Sequence, residues 1–116
     1  MQDKLEQFHF AFGHPIGRQF KQEDLTLPVS LINEEYQELV DACLQGDVAN
    51  IKKELMDLMY VCFSMCVRYG WDADKMFDLV HQSNMTKLDK NGTPVYREDG
   101  KIMKSDKYIP VDLTKL

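Results

Sequence analysis

Val48-Ala-Asn-Ile-Lys-Lys-Glu-Leu-Met-Asp-Leu-Met-Tyr-Val-Cys-Phe-Ser-Met-Cys-Val-Arg-Tyr69 is the stretch whose reading decides the fold. Ile51, Leu55, Leu58, Met59, Cys62, Met65 and Cys66 recur at spacings of three, four and seven. That period predicts one long amphipathic helix. Asp47 is placed to cap its start and Gly70 to stop it. The Met-rich pattern (Met56, Met59, Met65, Met76) reads as core packing. Upstream, Gly46 reads as the C′ residue of a second helix over about residues 27–45. Thr26 is its expected N-cap, with Pro28 in the first turn. Leu31, Leu39, Val40, Ala42 and Cys43 supply its apolar faces. A shorter segment, residues 3–12, carries Leu5, Phe8 and Phe12 at helical spacing and is broken by Gly13-His14-Pro15-Ile16-Gly17. Downstream, Asp72 is expected to cap a fourth helix running to about Thr86, with Met76, Phe77, Val80 and Met85 turned inward.

At Lys87 the texture changes to turns. Val95-Tyr96-Arg97-Glu98 and Lys101-Ile102-Met103-Lys104 flank Asp99-Gly100. This pattern predicts a hairpin with a type I′ turn, then an extended end through Pro110. The expected architecture is all-α: antiparallel helices forming a four-helix-bundle type of oligomer, with a short C-terminal hairpin or extended tail. A length of 116 residues fits a single domain with a helical body, 1–86, and a tail, 87–116. So small a chain leaves much apolar surface uncovered, which favours a homodimer or homotetramer.

The formal net charge is -5. It divides unevenly: residues 1–86 hold 7 Lys+Arg against 14 Asp+Glu, and residues 87–116 hold 7 against 5. An acidic body counts against general nucleic-acid binding, which needs a basic face. The three cysteines, Cys43, Cys62 and Cys66, form no C-x-x-C pair and read as small core residues in a reducing compartment. No leader pattern opens the sequence, and no apolar run approaches the roughly 20 residues a bilayer-spanning helix needs. No membrane partner and a cytoplasmic location are therefore expected.

The chemistry concentrates in carboxylates. Helix two holds Glu34-Glu35-x-x-Glu38 and helix three holds Glu54-x-x-Asp57. Residues three apart share a helix face, so Glu35 pairs with Glu38 and Glu54 with Asp57. The short connection at Gly46 makes the two helices antiparallel neighbours, and the four carboxylates can converge between them. Clustered acids repel, and burial raises the cost. A divalent cation relieves both. An all-oxygen donor set without Cys or His points to Mg²⁺, with Mn²⁺ able to substitute. Either pair alone would read as a solvated helix face. A di-iron bundle would want Glu-x-x-His, and His9, His14 and His81 all lie elsewhere.

These residues resemble the all-α nucleoside triphosphate pyrophosphohydrolases, the superfamily of the MazG-like enzymes, dimeric dUTPases, dCTP pyrophosphatases and phosphoribosyl-ATP pyrophosphohydrolases. Phe8-His9-x-x-Phe12-Gly13-x-Pro15, Ser83-Asn84-Met85-Thr86-Lys87 and Gly92-Thr93-Pro94-Val95-Tyr96-Arg97-Glu98-Asp99-Gly100-Lys101 are similar to the short, single-domain MazG-like branch. The resemblance implies Mg²⁺ ligation by Glu35, Glu38, Glu54 and Asp57. It leaves Glu34 as the spare acid that holds or deprotonates the attacking water. It implies hydrolysis of a nucleoside triphosphate between the α- and β-phosphates, with a dUTP- or dCTP-type substrate favoured. Asn84 and Lys87 become substrate contacts, and Arg97, Lys101, Lys104 and Tyr108 are further candidates.

His81 reads as a structural histidine and Trp71 as a packing plug. Phe8 and Phe12 read as core or interface residues. The competing reading is a non-catalytic helical dimer that binds nucleotide or metal. A third is an acid-rich scaffold stabilised by incidental Ca²⁺, which would melt in a metal-dependent way without hydrolysis.

Overall fold

The computed structural model describes residues 1–116. Four helices, α1 (Gln2–Phe12), α2 (Thr26–Gln45), α3 (Val48–Tyr69) and α4 (Ala73–Met85), precede two short strands, β1 (Val95–Tyr96) and β2 (Ile102–Met103). The chain forms two compact units, Met1–Trp71 and Asp72–Leu116. That division falls one helix earlier than the change of texture at Lys87.

The first unit is built on α3, against which both α1 and α2 pack. Gly46 closes α2 in the left-handed region at φ 75°, and the Asp47 carboxylate accepts the Asn50 N–H to open α3. This two-residue connection makes α2 and α3 an antiparallel hairpin. Thr26 is not the expected cap. A short 3-10 turn, Gln22–Leu25, runs directly into α2, so the helix continues an existing turn and needs no side-chain cap.

The loop after α1 straps the far end of α3. Gly17 N–H donates to Val67 O at 3.0 Å and Arg18 N–H to Arg68 O at 2.7 Å, using carbonyls that the helix end cannot pair internally. The approach is close: a Cβ on Gly70, at φ +70°, would stand 3.1 Å from Gly17 Cα. Trp71 packs on Tyr69 with ring centroids 5.0 Å apart and stacks on Phe20 at 6.2 Å, the plug expected of it. Phe8 sits edge-on to Tyr60 at 5.4 Å.

At the centre of this unit lies a histidine. His9 is 0% exposed, and Leu5, Ala42 and Val67 are the other most buried residues of the unit. Its Nδ1 lies 2.7 Å from Pro15 O and its Nε2 2.5 Å from Ser64 Oγ. A carbonyl can only accept, so Nδ1 carries the proton and Nε2 accepts from the Ser64 hydroxyl. One ring thus ties α1, the loop and α3 together. Burial is the main cause that holds its pKa below 6.5, and His14 and Arg68 add to the lowering.

In the second unit, Asp72 caps α4 by accepting the Lys75 N–H at 3.0 Å. The segment after α4 folds back onto it. Ser83 Oγ donates to Ile109 O at 2.7 Å, and Ile109 N–H donates to Thr86 Oγ1 at 2.8 Å. The hairpin pairs Val95 with Met103 and Tyr96 with Ile102. Its turn is not type I′, which needs positive φ at both central residues. Only Gly100 is left-handed there, at φ 89°. Arg97 N–H reaches Lys101 O and Gly100 N–H reaches Arg97 O, which describes a three-residue loop with a glycine bulge.

Several apolar expectations are corrected. Phe77 and Met85 are exposed on α4, and Cys43 and Cys62 are exposed free thiols, with only Cys66 half-buried. His81 is exposed too, so the structural histidine is His9. Helical spacing marks an apolar stripe without saying how much of it the same chain covers.

Candidate metal centre

The α2–α3 hairpin sets the site. Glu35 and Glu38 stand one turn apart on α2, and Glu54 and Asp57 one turn apart on α3. Each offers one carboxylate oxygen, and the four oxygens lie within 4.8 Å of one another. Glu54 is the buried member at 8% exposure. Desolvation lifts its carboxyl above the ordinary carboxylate range; a hydrogen bond shared with Glu38 and that neighbour's charge reinforce the effect. Glu35 Oε2 and Glu54 Oε2 are both buried without a hydrogen-bond partner. Buried polar atoms are almost always paired, so two orphaned acceptors in one cluster call for a cation. The donor set fits a hard divalent ion: all oxygen, carboxylate-rich and part-open to water.

Lys53, which the acidic spacing did not single out, already neutralises part of the cluster. Its Nζ donates to Asp57 Oδ2 at 2.8 Å and to Glu54 Oε1 at 3.5 Å. The signal was available, because Lys53 and Asp57 are four apart on one helix face. Glu34 is exposed and outside the four-oxygen cluster.

The remaining candidates belong to the second unit. Lys87, Arg97, Lys101 and Lys104 line one cleft of about 360 Å³. Asn84, exposed on the last turn of α4, and Tyr108 are not among its walls. Tyr108 instead supports a wall residue, with the Lys104 ammonium 4.8 Å above its ring.

A helical hairpin carrying two carboxylate pairs across its seam is the arrangement of the MazG-like all-α pyrophosphohydrolase superfamily. Residues 5–84 match the phosphoribosyl-ATP pyrophosphohydrolase family, and the chain belongs to it. An uncharacterized protein of Acanthamoeba polyphaga mimivirus is 26% identical over 106 residues. The match covers 85% of this chain, and it spans 40% of the viral protein's length. No helix is long and apolar enough to cross a membrane.

Proposed function

We propose that the chain is a Mg²⁺-dependent pyrophosphohydrolase that cleaves a (deoxy)nucleoside triphosphate between its α- and β-phosphates, releasing monophosphate and pyrophosphate. The observation that carries this reading is the four-oxygen cluster of Glu35, Glu38, Glu54 and Asp57, with two orphaned buried acceptors, in a chain of a pyrophosphohydrolase family. Mg²⁺ held by these four would offset phosphate charge and lower the pKa of the attacking water. Glu54, fixed by burial, and Glu35 orient the cluster from the helix seam. Glu38 is the exposed member of the four and Asp57 is half-buried. Glu34 follows the cluster's edge on α2 and is the group assigned to hold or deprotonate water. No covalent nucleophile is required: the His9 ring beside Ser64 is buried, and desolvation pushes the Cys62 and Cys66 thiols up from their ordinary value.

A dUTP- or dCTP-type substrate is the first choice, with nucleotide-pool sanitation as the role. Phosphoribosyl-ATP, the compound that names the family, is the principal competitor. A homodimer or homotetramer is part of the proposal. It is supported by the apolar residues that α2 and α3 leave exposed, among them Leu27, Val29, Leu44, Val48 and Met56. Incubation with Mg²⁺ and each canonical triphosphate, damaged triphosphates and phosphoribosyl-ATP, with products resolved, tests reaction and substrate together. Monophosphate plus pyrophosphate from at least one compound is expected. No turnover across the panel would leave the nucleotide-binding, non-catalytic dimer as the better reading.

A further inference from the structure

Lys53 touches two of the four clustered carboxylates. Its ammonium lies 2.8 Å from Asp57 Oδ2 and 3.5 Å from Glu54 Oε1. It reaches neither Glu35 nor Glu38, and Glu35 Oε2 and Glu54 Oε2 stay buried without a partner. One ammonium therefore serves the cluster only in part. It carries a single charge and three donors. A hard divalent cation carries twice the charge and accepts more oxygens.

Helix stability is a poor account of where Lys53 stands. At i,i+4 the favourable order places the acid before the base, and here Lys53 precedes Asp57. Nor is the pair locked in place. The Lys53 side chain is 66% exposed and that of Asp57 36%, and ion pairs of such exposure are weak. Lys53 can swing into water without moving any buried group. What its position does achieve is to bring a positive charge to acids that would otherwise repel one another unrelieved. The same position sets it against any divalent ion drawn to Asp57 and Glu54, because two cations at the same carboxylates repel.

We infer that Lys53 is an exchangeable counter-cation: it holds Asp57 and Glu54 until a divalent cation takes them, and is then released to solvent. Lys53 is on this account a positioning residue and neither a metal ligand nor a substrate contact. It makes the clustered acids tolerable to the fold, and it helps to set the divalent-ion concentration at which they are taken over. This role rests on the metal centre proposed above.

The test is trace acetylation of the full chain's amines, read position by position by mass spectrometry. It is run in EDTA and in saturating Mg²⁺ or Mn²⁺ at matched ionic strength. Lys52 is the internal reference: it is one position away, exposed and in no ion pair, so it corrects for the charge the metal brings. Divalent cation should speed the labelling of Lys53 about two- to fivefold relative to Lys52, as expected from breaking a pair of this exposure. Asp57→Asn, with unchanged helical circular dichroism, should raise Lys53 labelling already in EDTA and remove the response to metal. Three results would each overturn the inference: unchanged or slower Lys53 labelling in a chain that binds Mn²⁺ by calorimetry, a rise shared equally by Lys52, or a full response in Asp57→Asn. Absence of Mn²⁺ binding in the natural chain would remove the metal centre and this role with it. No turnover is measured, so exchange at Lys53 in a chain that hydrolyses nothing would count against the proposed reaction alone.

Discussion

Replacing His9 tests the centre of the first unit. His9→Ala removes a fully buried ring together with its bonds to Pro15 O and Ser64 Oγ. The cavity left by a buried ring costs about 3 kcal/mol, and the two half-buried partners left unpaired add up to about 1 kcal/mol between them. A loss of about 3–4 kcal/mol is expected. At about 2.1 cal/mol/K per residue for the unfolding entropy, 1 kcal/mol corresponds to about 4 °C here, so Tm should fall by about 12–16 °C.

The same residue sets a pH dependence. Burial holds the folded pKa of His9 below 6.5, so the unfolded chain binds its proton first as pH falls. Stability is intact above pH 6.5 and is lost as pH drops from there toward the folded pKa. The loss from this group is at most about 1.4 kcal/mol by pH 5.5. Urea unfolding of the natural chain, His9→Ala and His9→Gln at pH 7.5 and 5.5 measures both quantities. His9→Gln should lose less on acidification than the natural chain. A His9→Ala variant within about 1 kcal/mol of the natural chain at pH 7.5 would refute the sealed-ring argument. An unchanged acid loss in His9→Gln would refute its role in the pH response.

Glu38→Gln and Asp57→Asn should each abolish hydrolysis while the helical circular dichroism stays intact; near-natural activity in either would break the four-ligand assignment. Lys53→Met removes the ammonium that occupies Asp57 and Glu54, so Mn²⁺ should bind about threefold tighter or more, measured by calorimetry; a weaker affinity would show that Lys53 helps the metal rather than competing with it. Gly70→Ala must adopt φ +70° and meet Gly17 at 3.1 Å, and should cost at least about 1 kcal/mol in urea unfolding. Equal stability would mean that the Gly17 strap yields freely.

The four helices were legible because their signals are local. The period in Val48–Tyr69, the glycines at 46 and 70 and the acids at 47 and 72 each act within one turn. The convergence of Glu35, Glu38, Glu54 and Asp57 was legible because i,i+3 spacing and a two-residue connection leave little choice of geometry. What was missed depends on contacts distant in sequence. His9 meets Ser64 across 55 positions, and no local rule distinguishes it from His81. Phe77 and Met85 follow the helical period yet lie exposed, since periodicity identifies a stripe and not its cover. The hairpin was placed correctly but its turn was not, because Asp-Gly suits both a two-residue loop and a three-residue loop with a bulge.

The ties between α4 and Ile109 bear on how this chain can be cut and recombined. A truncation at residue 84, where family likeness stops, would remove Ile109 and leave the Ser83 hydroxyl facing a gap where a carbonyl had been. The same cut would discard Thr86, the other half of that clasp. The seam that respects the architecture lies at Trp71, between the two compact units. A chimera joined there exchanges whole modules, whereas one joined at the family boundary splits a module in two.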